Sequence, residues 1–122
     1  MRNGILCYNE YMNILDKKIK RSDLKDSQFV MDDEMVKGVV DIKKGLLAID
    51  AELHADLEKM LLENGSDQFD LWGINLYFDG DLVEFDSMIN IRPTQGNRSR
   101  GVEDENTRKQ ILEIVDSWIE ND

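Results

Sequence analysis

The dipeptide Asp79-Gly80, set between two segments of alternating apolar residues, constrains this chain more than any other feature. Asp-Gly between such flanks is the strongest short signal for a two-residue hairpin turn, because both central positions need positive φ. A turn there fixes the register. Phe78 faces Asp81, Leu76 faces Val83, Ile74 faces Phe85 and Trp72 faces Ser87. The other side pairs Tyr77 with Leu82, Asn75 with Glu84, Gly73 with Asp86 and Leu71 with Met88, and Asn90 and Arg92 extend it. One side is apolar and the other mixed polar, as in a strand pair with one face on a core.

Lys44-Gly45 reads as a second two-residue turn. It sets Ile42 against Leu47, Val40 against Ile49, Gly38 against Ala51 and Val36 against Leu53, with Lys37 opposite Glu52 on the reverse face. Leu53, Leu57, Met60 and Leu61 also fit a helical stripe beginning near Asp50. The pairing pattern favours strand through Leu53, followed by a helix with Asp56 as its N-cap that ends at Asn64-Gly65. A last helix starts with the acids at 103–105, which suit the positive end of its dipole, and buries Ile111, Ile114, Val115 and Trp118. A short strand at 13–15 and a helix over 21–29, with Ser22 as N-cap, precede the acidic loop at 31–34. The expected architecture is α+β: an antiparallel sheet from two β-hairpins, each followed by a helix (ββαββα), with the helices on one face.

The 122 residues suit one domain. We expect that domain to span 12–122, behind a loose extension over 1–11 that carries no amphipathic pattern. A net charge of −11 repels phosphate backbones and anionic membranes over most of the surface, so a general nucleic-acid coat is disfavoured. The start has no apolar run long enough for a signal peptide or membrane span. Cys7 is the only cysteine, which excludes an intrachain disulfide and a cysteine zinc cluster and points to the cytoplasm.

Three stretches carry a resemblance. They are Glu52-Leu53-His54-Ala55-Asp56, the run from Asp70 to Tyr77, and the run from Glu84 to Asp104 with its Asn90-Ile91-Arg92-Pro93 and Gly96-Asn97-Arg98-Ser99-Arg100-Gly101 segments. Together they resemble a prokaryotic family of small single-domain proteins of unknown function. The chain departs from that family's pattern where Asp50-Ala51 stands in place of a glycine pair, and where the Asp79-Gly80 tip is shorter. The resemblance implies a fold but carries no activity, cofactor or catalytic residue with it.

The segment 92–101 is the best candidate site. Arg92, Arg98 and Arg100 stand there with Gln95 and Asn97 and no acid, inside an acidic protein. Guanidinium forks suit phosphate and carboxylate oxygens, and the segment feeds a helix N-terminus. It is no P-loop, because Val102-Glu103 replaces the required Lys-Ser/Thr. The alternative is that these arginines tie the loop to carboxylates such as Glu84 and Asp86. His54, with Glu52 and Asp56 nearby, could carry a proton, but no second histidine supports a metal site. Glu84 and Asp86, sharing a strand face with Asn75, Tyr77, Asn90 and Arg92, could do acid–base work, hold a divalent cation through oxygen ligands, or form a solvated face. The expected function is a binding or regulatory module that recognises an anionic group through the arginine segment, with no cofactor and no metal. The alternatives are a small enzyme using Glu84, Asp86 or His54 with the arginines as substrate clamp, and a subunit that docks a protein partner.

Overall fold

The computed structural model describes residues 13–122. The expected extension over 1–11 and Cys7 lie outside the described residues. The elements are β1 (Ile19–Lys20), β2 (Met35–Asp41), β3 (Leu46–Ile49), α1 (His54–Glu63), β4 (Leu71–Tyr77), β5 (Val83–Glu84), α2 (Glu105–Trp118) and β6 (Ile119–Glu120), with four short 3₁₀ turns between them. Strands β3-β2-β4-β5, in that order, make a four-stranded antiparallel sheet, and β1 pairs with β6 in a separate parallel pair. The α+β class is as expected.

The second hairpin keeps its turn-derived register where it pairs: Asn75 faces Glu84, Leu76 faces Val83, and Gly80 takes φ 72°. The strand is shorter than expected. β5 stops at Glu84, so Ile74 and Phe85 are not ladder partners, although both belong to the same core. Beyond that point the Asn90 side chain takes over, bonding the backbone N–H and carbonyl of Gly73.

The first hairpin corrects the sequence reading. Val40 faces Leu47 rather than Ile49, and Gly38 faces Ile49 rather than Ala51. The connection has four residues, because the buried Asp41 carboxylate accepts the N–H groups of Lys43 and Lys44, each at 2.9 Å, and the Ser66 hydroxyl at 2.6 Å. A shift of two residues leaves every side chain on its own face, so alternation could not distinguish the two registers.

Strand β3 ends at Ile49, and neither a strand through Leu53 nor a helix from Asp50 forms. Asp50 sits at φ 72°, a left-handed position that favours glycine. Its carboxylate compensates by accepting the N–H groups of Gln28 and Phe29. Helix α1 then begins at His54. Asp56 is not its N-cap but a residue of its first turn, accepting the N–H of Leu53 at 3.2 Å.

The helices lie on opposite faces of the sheet, not on one. Ile111 and Val115 of α2 join Val36, Val40, Leu47, Ile74 and Leu76. Leu57 and Leu61 of α1 cover Val39, Ala48 and Leu71 on the other side. The Lys37–Glu52 pairing had marked that side as polar and obscured its apolar half.

Near the start, Ile14 bridges Ala48 on the outer edge of β3, which is what remains of the expected strand at 13–15. The expected helix over 21–29 is a 3₁₀ turn, Arg21–Asp26. Ser22 does not cap it but bonds the Asp122 carboxylate instead. The buried Arg21 donates to the carbonyls of Tyr77 and Gly80, holding the β4–β5 turn.

Candidate functional site

Polar side chains converge where the odd-numbered positions of β2 and β4 run out beyond the cover of α1. There His54 in the first turn of α1, Lys37 of β2, Asn75 and Tyr77 of β4, Glu84 of β5, and Asp86 and Arg100 line an open cleft of about 470 Å³. Asp33, Ser87 and the apolar Met35, Leu53, Ala55, Met88 and Ile89 complete its walls. All three stretches that carried the resemblance contribute to this lining. A larger hollow, about 1030 Å³, lies beside Asn13, but its charged lining is mainly carboxylate: Asp23, Asp26, Asp50, Glu52, Asp56 and Glu63 against Lys59. That field disfavours an anion.

Asn75 is the hub of the cleft. Its amide Nδ2 donates to Glu84 Oε1 at 2.8 Å and to the Asp86 carbonyl at 3.3 Å. The Tyr77 hydroxyl lies 3.1 Å from the same Glu84 oxygen and 3.3 Å from Asp33 Oδ2, and it can donate to either. Burial and the bond to Glu84 push its phenol up to about 12, since ionisation would add a negative charge beside the Glu84 and Asp33 carboxylates.

His54 Nε2 lies 2.8 Å from the Ile74 carbonyl. A carbonyl only accepts, so Nε2 carries the proton, and in the neutral ring Nδ1 holds the lone pair. Burial lowers the pKa of the ring, and the Lys37 charge adds to that; the bond to Ile74, Asn75 beside the ring and Asp86 oppose it.

The arginine segment does not act as one unit. Arg92 donates to the carbonyls of Gln68 and Leu71 and stacks 4.1 Å from the centre of the Trp72 ring. Gln95 donates to the Phe69 carbonyl. Buried Asn97 donates to the carbonyls of Asn90, Ser99 and Gly101 and accepts from the Glu103 N–H. The N–H groups of Arg98 and Ser99 converge on one oxygen of Glu103, both at 2.9 Å, so the loop's own backbone anion site holds an internal carboxylate. Those bonds lower the Glu103 pKa. Only Arg100 reaches the cleft, its Nε 2.8 Å from Asp86 Oδ1 and its Nη2 3.2 Å from Oδ2.

Arg100 is placed by its backbone, whose carbonyl accepts from the Ser87 N–H and from Asn90 Nδ2. Of the sequence-derived candidates, His54, Asn75, Glu84, Asp86 and Arg100 therefore come together. Arg92, Gln95, Asn97, Asn90 and Asp56 hold loops and helix ends. The sequence reading missed Lys37 and Asp33 as cleft residues. Lys37 stands across from Asn75 through the β2–β4 pairing, which no turn signal announces.

A four-stranded antiparallel sheet with a helix on each face and a polar cleft at one end defines a small α+β domain. The chain belongs to the family described as protein of unknown function, DUF5674, whose model matches residues 13–118. No curated protein matches the chain, and no solved structure does.

Proposed function

We propose that this protein is a small intracellular binding module that recognises an anionic group, a phosphate or a carboxylate, in the cleft between the first turn of α1 and β4. The observation that carries this reading is the position of Arg100. It is the one arginine of the 92–101 segment that lines the cleft, its side chain is 56% exposed, and it is paired with Asp86, itself 39% exposed. An ion pair as open as this is weak, and an incoming oxyanion can take over the guanidinium fork from Asp86. Lys37 adds a second positive charge to the same cleft. Among the described residues no helix is long and apolar enough to cross a membrane.

Titration calorimetry with inorganic phosphate and ethyl phosphate tests the reading. Binding should occur in the wild type, weaken at least about tenfold in Arg100→Gln, and persist in Arg98→Gln. Equal loss in both arginine variants, or no binding in the wild type, would overturn it.

A second reading, a small enzyme, is favoured by the tautomer of His54, which leaves Nδ1 basic within the same cleft as Glu84 and Asp86. On that reading His54→Gln would abolish turnover of a phosphate or carboxylate ester while leaving ethyl phosphate binding in place.

A further inference from the structure

The inner wall of the cleft is short of hydrogen-bond donors. Asn75 is 4% exposed, and both partners of its Nδ2, a Glu84 carboxylate oxygen and the Asp86 carbonyl, are acceptors. The carboxamide cannot turn over without setting its oxygen against theirs, so its orientation is fixed. Asn75 Oδ1 consequently points away from them, and it has no hydrogen-bond partner among the described residues. Buried acceptors are nearly always paired, and an orphan in a cleft marks where a donor belongs. The neighbouring imidazole supplies one only in its charged form: Nε2 is committed to the Ile74 carbonyl, and the neutral ring, which burial favours, offers only a lone pair at Nδ1.

We propose that this wall is an amine subsite, and that the ligand of the cleft carries an ammonium group received by Asn75 Oδ1 and the neighbouring carboxylates. The inference rests on the anion reading above and adds the other end of the molecule. A charged donor fits better than a hydroxyl, because Asp33, Glu84 and Asp86 outnumber Lys37 and Arg100 along the lining. The distance between the two ends is short. Asp86 meets Asn75 through its backbone carbonyl and Arg100 through its carboxylate, so a single residue separates the ammonium position from the guanidinium. The ligand class is a compact zwitterion, an aminoalkyl phosphate or a short amino acid.

The experiment is calorimetry on the full chain with ethyl phosphate, ethanolamine and O-phosphoethanolamine, and with propionate against β-alanine as the carboxylate pair. The zwitterion of each pair should bind at least about tenfold tighter than its amine-free partner. Asn75→Leu should erase that advantage, so that within this variant phosphoethanolamine binds no tighter than ethyl phosphate. Should Asn75→Leu fail to fold, Glu84→Gln, at a more open position, must still shrink the ratio. Equal affinity for ethyl phosphate and phosphoethanolamine would overturn the amine subsite and leave the anion reading standing. Binding of ethanolamine but not ethyl phosphate, lost in Asn75→Leu, would uphold the subsite and overturn the anion reading. No binding by any of these probes would overturn both.

Discussion

The carboxamide of Asn90 meets the backbone of Gly73 twice, accepting from its N–H at 2.8 Å and donating to its carbonyl at 2.9 Å. A side chain thus replaces the strand that β5 fails to supply, and the same Nδ2 also donates to the Arg100 carbonyl at 3.0 Å. Asn90 therefore links the edge of β4 to the residue that brings a guanidinium into the cleft.

Asn90→Ala should destabilise the protein by about 2–4 kcal/mol, since it leaves the N–H and the carbonyl of Gly73 without their partner. Asn90→Asp should be no milder at neutral pH, because it sets a carboxylate oxygen against two carbonyls. Gly73→Ala should lose stability for a steric reason: a Cβ there would stand 2.5 Å from Ser87 Cβ and 2.6 Å from its Oγ. Urea denaturation measures all three, and a loss under about 0.5 kcal/mol in Asn90→Ala would contradict the bridging role.

The arginines of the 92–101 segment should separate by task. Arg92 combines two charged hydrogen bonds with stacking on Trp72, so Arg92→Ala should cost about 2–4 kcal/mol. Lysine should restore only part of that, having no planar fork to reach two carbonyls while lying on a ring. Arg98, whose N–H rather than its side chain binds Glu103, should tolerate alanine within about 0.5 kcal/mol. Denaturant midpoints in which Arg98→Ala falls as far as Arg92→Ala would contradict this division.

What the sequence discloses depends on whether a signal is local. Asp79-Gly80 sets its register because the turn centred on it, with Gly80 at positive φ and the Tyr77 N–H on the Leu82 carbonyl, is local, and the Asn75–Glu84 pair follows from it. Lys44-Gly45 misleads by two residues because the deciding interaction, the Asp41 carboxylate on two downstream N–H groups, leaves the alternation unchanged. The cleft was half legible. Asn75, Glu84 and Asp86 share a strand side readable from the hairpin, whereas Lys37 joins them only through the β2–β4 ladder, whose partners are distant in sequence. The arginine cluster was visible as composition. Which of its members faces a cleft depends on Asn90 and Asn97, whose bonds reach across the whole segment.

Tyr77 provides a direct probe of Glu84. Its phenol should titrate at about 12 in the difference between wild-type and Tyr77→Phe absorbance at alkaline pH. Glu84→Gln should bring that midpoint down toward the ordinary value of 10.0, since it removes the nearby negative charge. An unchanged midpoint in Glu84→Gln would detach Tyr77 from the carboxylate it is bonded to.

His54 is the only histidine in the chain, so its ring protons give an unambiguous NMR titration. The midpoint should lie below the ordinary value of 6.5, chiefly because burial disfavours the charged ring. Removing a neighbouring positive charge by Lys37→Met should raise it, and removing a negative one by Asp86→Asn should lower it further. The sign for stability follows. A ring that stays neutral in the folded state but protonates near 6.5 when unfolded makes the unfolded chain bind more protons on acidification. Its contribution is therefore present above pH 6.5 and is lost as pH falls through the folded midpoint. Wild-type stability should begin to decline below about pH 6.5, and His54→Gln should flatten that upper limb of the acid profile. The lower limb should remain in the variant, because Glu103 and Asp122, both held below their ordinary values of 4.5 and 3.8, lose their contributions only in stronger acid. A His54→Gln profile superimposable on the wild type between pH 5 and 7 would show that the imidazole is not held neutral by burial.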